Sequence, residues 1–279
     1  MQAPGEQVEA IELDLLCEGI FRRYGYDFRQ YSRTSLLRRV KAFMHEEGLS
    51  CIGELQQQVL RNKTMLCKLL GALSVSVTQF FRDPEVFSAL QNQVLPRLET
   101  YPCLRIWHAG CASGEEAYSL AILLDEMGLL ARSQIYATDL NEQAIHTASS
   151  GVYPLSVLEE GSLSYLKSGG QGHFAHYYTT DGKNGVMLKR LRRRIVFSRH
   201  NLVSDGSFNE FHLIFCRNVL IYFDTDLKAK VLGLLHQSQC RFGYLVLGYR
   251  ELLDFSPAAQ HYEILEPGNE AHSIFRNQG

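Results

Sequence analysis

The sequence predicts an α/β fold: a parallel sheet with helices on both faces, preceded by an all-helical segment and interrupted by a small antiparallel one. Three observations predict it. Up to about residue 95, apolar positions recur at three- and four-residue spacing, the period of amphipathic helices. After Pro102, short apolar runs alternate with helical stretches, which implies parallel strands joined by crossover helices. Between residues 151 and 197 the alternation stops and glycines gather, at 169, 170, 172, 182 and 185.

In order, the period places helices over 8–20, 34–47, 52–70 and 84–95, with Leu36, Leu37, Val40 and Phe43 as one apolar stripe. Asp83 and Pro84 form an N-cap and first-turn proline before the last of these. Pro96 and Pro102 bracket a linker, which sets a helical domain at 1–97 and an α/β domain at 98–279. There a strand is expected at 104–109, a helix at 114–127, a strand at 134–138 and a helix at 141–149. Residues 212–216 and 244–247 read as buried strands on either side of a helix at 226–236. The run DGKNG at 181–185 is a hairpin turn, inside an inserted antiparallel β-subdomain of about 155–197. The basic run at 189–194 reads as an exposed strand whose charges guard its edge.

Composition narrows the function. With 279 residues, 46% of them hydrophobic and 21% charged, the chain can bury a core without staples. A net charge of −2 argues against a whole-molecule grip on nucleic acid. The seven cysteines are scattered and form no CxxC, so they read as free thiols of a cytoplasmic protein rather than disulfides or a zinc site. His173 and His176 lack a second pair of ligands, so no metal is expected. No leader pattern or apolar run of membrane-spanning length is found.

The strongest local signal is IWHAGCASGEEAYS at 106–119: a strand, a loop of small residues and a helix start. Gly110, Ala112, Ser113 and Gly114 let a ligand approach the backbone. This is not GxGxxG, and Glu115 and Glu116 at the helix start would repel a pyrophosphate and attract a cation. The pair therefore favours S-adenosylmethionine, with its sulfonium and ammonium, over a dinucleotide; dipole complementation is the plainer alternative. Asp139 ends the next strand, 25 residues after Gly114, where a carboxylate can accept both hydroxyls of a ribose or cap the following helix.

Taken with TQFFRD at 78–83, ATDLN at 137–141, GVY at 151–153, Asn201-Leu202 and IFCRNVLIYF at 214–223, these blocks resemble the CheR family of chemoreceptor glutamate O-methyltransferases over nearly the whole chain. The resemblance implies a Rossmann-like S-adenosylmethionine methyltransferase domain with an N-terminal all-helical domain and a small inserted antiparallel β-subdomain. It implies methyl transfer from S-adenosylmethionine to glutamate carboxylates of methyl-accepting chemoreceptors, leaving S-adenosylhomocysteine. By the same resemblance Ser76, Thr78 and Arg82 contact the cofactor, Gly110, Glu115 and Asp139 hold it, Asn201 and Leu202 flank its adenine, and Arg217 and Asn218 complete the wall. Arg82 and Tyr222 are the catalytic candidates, Arg82 as a planar fork for the substrate carboxylate and Tyr222 as a hydroxyl that orients the incoming oxygen. A solvent salt bridge for Arg82 and a packed ring for Tyr222 are the plainer alternatives.

Between Arg22 and Lys41 lie seven basic residues, Arg22, Arg23, Arg29, Arg33, Arg38, Arg39 and Lys41, with Asp27 the one acid among them. Read as a positive face, they would dock the glutamate-rich cytoplasmic helices of chemoreceptors, the enzyme being a monomer recruited to membrane arrays without inserting. One departure stands out: where the family commonly has Gly-His-Ser-Glu, this chain has Gly248-Tyr249-Arg250-Glu251. The competing reading is a catalytically weak signalling module that binds S-adenosylmethionine or S-adenosylhomocysteine.

Overall fold

The structure is a computed structural model and describes residues 4–73, 78–253, 256–265 and 274–279. It divides into two compact units, 1–75 with 222–230, and 76–221 with 231–279. The stretch 78–97, placed with the helical domain by its linker prolines, thus falls in the second unit.

The first unit is helical: α1 (Pro4–Tyr24), α2 (Arg33–Glu47), α3 (Ile52–Arg61) and α4 (Lys63–Leu73). The expected helix 52–70 is two helices. Asn62 is extended, with φ −128°, and its N–H still bonds to the Gln58 carbonyl at 2.8 Å. Its side-chain oxygen accepts the Thr64 N–H at 2.9 Å, starting α4 afresh. α2 stops at Gly48, whose left-handed φ of 69° is one glycine tolerates. Leu16, Ile20, Leu36, Val40, Leu55, Val59 and Leu69 form the core. Tyr31 bridges to Phe223, and the Ser32 N–H bonds to the Tyr222 carbonyl at 2.8 Å.

The second unit opens with α5 (Pro84–Ala89), a π turn over Leu90–Val94, and α6 (Leu95–Leu98). The π turn directly precedes Pro96, which cannot donate to the helix ladder. Then follow β1 (Leu104–Ala109), α7 (Glu115–Glu126), β2 (Ser133–Asp139), α8 (Glu142–Ser150), β3 (Val152–Pro154), α9 (Leu155–Lys167), β4 (Tyr178–Thr180), β5 (Asn184–Met187), α10 (Lys189–Arg192), β6 (Ile195–Arg199) and β7 (Phe211–Cys216). The chain ends in α11 (Thr225–Gln237), whose start belongs to the first unit, then β8 (Gln239–Leu247), β9 (Tyr262–Ile264) and β10 (Ile274–Asn277).

Seven strands form one sheet in the order β6-β2-β1-β7-β8-β10-β9. The pairs among β6, β2, β1, β7 and β8 are parallel; β10 and β9 close the far side antiparallel. The chain winds outward from β1 to β6 and then crosses back to β7. The reversal point therefore lies at the carboxyl ends of β1 and β7, where open α/β sheets bind ligands. β7 is buried along its whole length, and α7 is buried from Glu115 to Leu124, as a doubly covered sheet requires.

The inserted sheet is antiparallel, in the order β3-β5-β4. Asp181 Oδ1 accepts the N–H groups of Lys183 and Asn184 at 2.9 and 2.7 Å and closes the expected hairpin. Two details differ from the sequence reading. The insert begins with β3, because Val152–Pro154 pairs with β5, and it ends before Ile195, because β6 returns to the main sheet as its edge. The basic run is not a strand: Lys189–Arg192 is one helical turn, with Leu191 buried and Arg190 on Asp125 at 3.1 Å. All seven cysteines are free. No helix among the described residues is long and apolar enough to cross a membrane.

A Cβ on Gly185 would lie 2.3 Å from Leu158 Cδ1 and 2.8 Å from Tyr178 Cδ2. Gly185→Ala is expected to destabilise the chain by about 1–3 kcal/mol through this overpacking, read as a lower midpoint in urea.

Candidate cofactor and active site

The site is built on the carboxyl ends of β2, β1, β7 and β8. After β1 the chain turns through Gly110, Ala112 and Gly114, all left-handed, with φ of 78°, 49° and 94°. Ala112 is the strained member, since a Cβ disfavours that region. Its N–H donates to Asp139 Oδ2 at 2.9 Å. The N–H groups of Gly110 and Cys111 donate to the Thr138 carbonyl at 2.8 and 2.9 Å, and that of Gly114 to the Cys111 carbonyl at 3.0 Å. These amides are spent within the loop, so it is not an open phosphate nest. Gly110 also has a packing reason: a Cβ there would lie 2.3 Å from Val219 Cγ2.

The two adjacent glutamates have opposite fates. Glu115 is buried and accepts the Ser113 hydroxyl at 2.7 Å. Burial raises its pKa to about 6, against the hydrogen bonds that lower it. No cation pairs with it among the described residues. Glu116 is also buried, and burial alone would raise it, but Arg217 and His108 beside it outweigh that and hold it at about 2. His108 Nε2 lies 2.9 Å from Glu116 Oε2, and Arg217 Nη1 bonds to Glu116 Oε1. The expectation that both glutamates await a cation is thus corrected: Glu116 is already neutralised from within.

Arg217 is correspondingly turned inward. Its side chain is 1% exposed, and it also donates to Asp83 Oδ2 and to the Arg82 carbonyl, the latter at 3.0 Å. Asp83 stands at the head of α5 but makes no side-chain cap, because its carboxylate goes to Arg217 instead. Phe81 and Asp83 both have φ of 52°, so Arg82 is presented between two strained residues. Phe80 and Phe81 bury their rings, and the Phe81 N–H bonds to Ser119 Oγ at 2.8 Å. The Arg82 side chain is half-buried and forms no ion pair among the described residues. The plainer alternative, a salt bridge to Asp83 or Glu85, is not formed among the described residues.

Asp139 is not the cap of α8. Asn141 is, accepting the N–H groups of Gln143 and Ala144. Asp139 instead receives Ala112 N–H on Oδ2 and Asn141 N–H on Oδ1, at 2.9 Å each. Burial raises its pKa against those hydrogen bonds. Asn201 and Leu202 follow β6 and are buried; Asn201 Oδ1 accepts the Val203 N–H at 3.0 Å. Asn218 has φ of 59° and a buried Oδ1 with no hydrogen-bond partner among the described residues. Thr78 is half-buried, and Ser76 lies outside the described residues.

Tyr222 belongs to the first unit, where the Arg39 guanidinium sits 4.5 Å from its ring centroid. The basic segment of that unit is largely paired. Arg22 and Arg29 meet Glu18, Arg29 also meets Asp27, Arg33 meets Asp14, and Lys41 meets Glu9. Three of these acids, Glu9, Asp14 and Glu18, come from α1, which a count restricted to 22–41 overlooks.

Glu251, which the sequence shows only as the acid kept in the Gly248–Glu251 segment, has a role no local pattern assigns. It is buried and accepts the N–H groups of Gly248, Asn218 and Ile221 at 2.6, 2.7 and 3.2 Å. Burial raises its pKa against these bonds. The local signal marks its place alone: a glycine three positions ahead of an acid at the end of a buried strand.

The model of the CheR methyltransferase SAM-binding domain matches residues 76–266, and that of the CheR all-alpha domain matches 11–74. A putative methyltransferase Cher3 of Pseudomonas putida is 44% identical over 91% of this chain and 93% of its own length. Chemotaxis protein methyltransferase 1 of Pseudomonas aeruginosa is 33% identical, over 82% of this chain and 84% of its own. The chemotaxis protein methyltransferase of Listeria monocytogenes is also 33% identical, over 82% and 86%.

Arg217→Ala would strand Glu116 as a buried, poorly compensated charge. A loss of about 3–5 kcal/mol of stability is expected in urea unfolding. Replacing Glu116 by Gln in the same chain should return part of that loss, because the stranded charge is then gone.

Proposed function

The chain belongs to the CheR methyltransferase family, and from that membership we propose that it methylates glutamate side-chain carboxylates of chemoreceptor-type proteins, giving glutamyl methyl esters. S-adenosylmethionine is the cofactor of this domain. The observation that carries the reading is Glu115: a buried carboxylate with no paired cation among the described residues, at the reversal point of the sheet, directly after the loop that binds Asp139 through the Ala112 N–H.

The residues fit the cofactor's chemistry. Glu115 is placed to balance a ligand cation, and the low dielectric of its surroundings strengthens that attraction. Asp139 offers two aligned acceptors for a pair of hydroxyls. Asn218 Oδ1 is a further acceptor. When bound, S-adenosylmethionine supplies an electrophilic methyl group.

The acceptor needs no base, since a glutamate with pKa near about 4.3 is ionised at neutral pH. The protein must instead hold that carboxylate in line and compensate its charge. Arg82 supplies a guanidinium with no ion pair among the described residues, on backbone clamped by Arg217. Once the carboxylate is a neutral ester, the ion pair with Arg82 is lost, which favours release of the product. For docking, exposed ion pairs such as Lys41 with Glu9 are worth at most about 1 kcal/mol. Their basic members can therefore exchange to the carboxylates of a receptor helix in the cytoplasm.

The primary test is transfer of labelled methyl to receptor cytoplasmic fragments, scored as base-labile methanol. Label lost when the target glutamates become alanine supports the proposal. Cofactor binding without transfer to any fragment overturns it and favours the signalling-module reading. Arg82→Ala should lower kcat/KM about 10²-fold while sparing S-adenosylhomocysteine affinity in calorimetry; Asp139→Ala should weaken that affinity first. The affinity should also depend on pH. The ligand's ammonium binds the ionised form of Glu115, whose pKa is about 6, so Kd should rise about tenfold per pH unit below that value, and Glu115→Gln should flatten the profile.

A further inference from the structure

β7 and β8 end in register, with Cys216 opposite Leu247. Each is followed by a turn, and Glu251 joins the two by taking the N–H groups of Gly248, Asn218 and Ile221. Gly248 is required by close approach: a Cβ there would lie 2.6 Å from Glu251 Oε2 and 2.9 Å from the Asn218 nitrogen. With 248 and 251 both turned inward, the two residues between them form an outward tip.

That tip carries two side chains the fold does not use. Tyr249 is 73% exposed, more than any other large hydrophobic residue among those described. Arg250 is exposed and meets no carboxylate among the described residues. An exposed aromatic beside a guanidinium that meets no carboxylate among the described residues, on a hydrogen-bonded turn, is the composition of an interface anchor. Its place on the sheet says of what. Neighbouring strands are about 4.8 Å apart, so Gly248, two strands from Gly110, lies about 10 Å from it, on the side away from Asp139. If Asp139 and Glu115 face the cofactor, the β7–β8 side is left for the second substrate.

We propose that Tyr249 and Arg250 read the protein acceptor. Tyr249 packs on apolar side chains of the presented segment, and Arg250 pairs with carboxylates flanking the methylated glutamate. This rests on the function proposed above and deepens it. Because Tyr249 and Arg250 are exposed while Gly248 and Glu251 make the anchoring hydrogen bonds, the tip would tune acceptor choice while the Glu251 anchor stays in place.

The test compares the full chain with Y249H/R250S and R250E, measuring kcat and KM for the receptor cytoplasmic fragments and S-adenosylhomocysteine affinity by calorimetry. In Y249H/R250S, KM for the preferred fragment is expected to rise at least about fivefold, with kcat and S-adenosylhomocysteine affinity unchanged. R250E should show a larger rise that shrinks with added salt, and R250K should restore most of it. Unchanged KM across all fragments overturns the inference while the methyltransferase function stands. Loss of S-adenosylhomocysteine binding in step with transfer also overturns it, by making the tip part of the cofactor site. A wild-type chain that binds S-adenosylhomocysteine and methylates no fragment overturns the function and this inference together.

Discussion

The buried guanidinium of Arg217 is the interaction on which the site depends. It gathers the Glu116 and Asp83 carboxylates and the Arg82 carbonyl, joining the approach to α5, the start of α7 and the end of β7. Burying such charges is costly, and only dense mutual compensation makes it tolerable. The result is asymmetry between neighbours in sequence. Glu116 is consumed as part of the scaffold, while Glu115, one residue earlier on the same helix, meets no cation among the described residues. The same clamp holds the strained backbone that presents Arg82.

Glu251 does comparable work with backbone amides instead of cations. By taking N–H groups from two turns it fixes the end of β8 against the end of β7, and through Val219 it bears on Gly110. The carboxyl edge of the sheet is thus wired laterally, from Asp139 under the β1 loop to Glu251 under the β7 and β8 turns. A methyltransferase site gains from this rigidity, because orientation is a main contribution asked of the protein.

The first unit shows a different use of charge. Its basic residues are exposed and matched mainly by acids of α1 and by Asp27, in pairs that solvent screens. Such a surface is close to neutral in isolation yet can re-pair with an acidic partner at little cost. Arg39 differs, because it is held by the Leu73 carbonyl at 3.1 Å and by the Tyr222 ring.

Much of this was legible in the residue order. Periodicity found most of the helices and the principal strands of the parallel sheet, since a helix stripe and a buried strand leave local patterns. The small-residue loop before Glu115 and the acid ending β2 marked the carboxyl ends of β1 and β2 for the same reason. Local pattern also misled where a side chain chose a distant partner. Asp83 reads as a helix cap but serves Arg217, and the 52–70 stripe hides the restart at Asn62. The run at 189–194 reads as a strand but folds as a helical turn because Leu191 is buried there. The sequence by itself determined which elements form and which residue types stand at the sheet's edge. Only the tertiary structure decided which of two adjacent glutamates is available, what Arg217 holds and why Glu251 is there. Those outcomes depend on burial and on partners brought together from distant parts of the chain, and neither is a property of a local window.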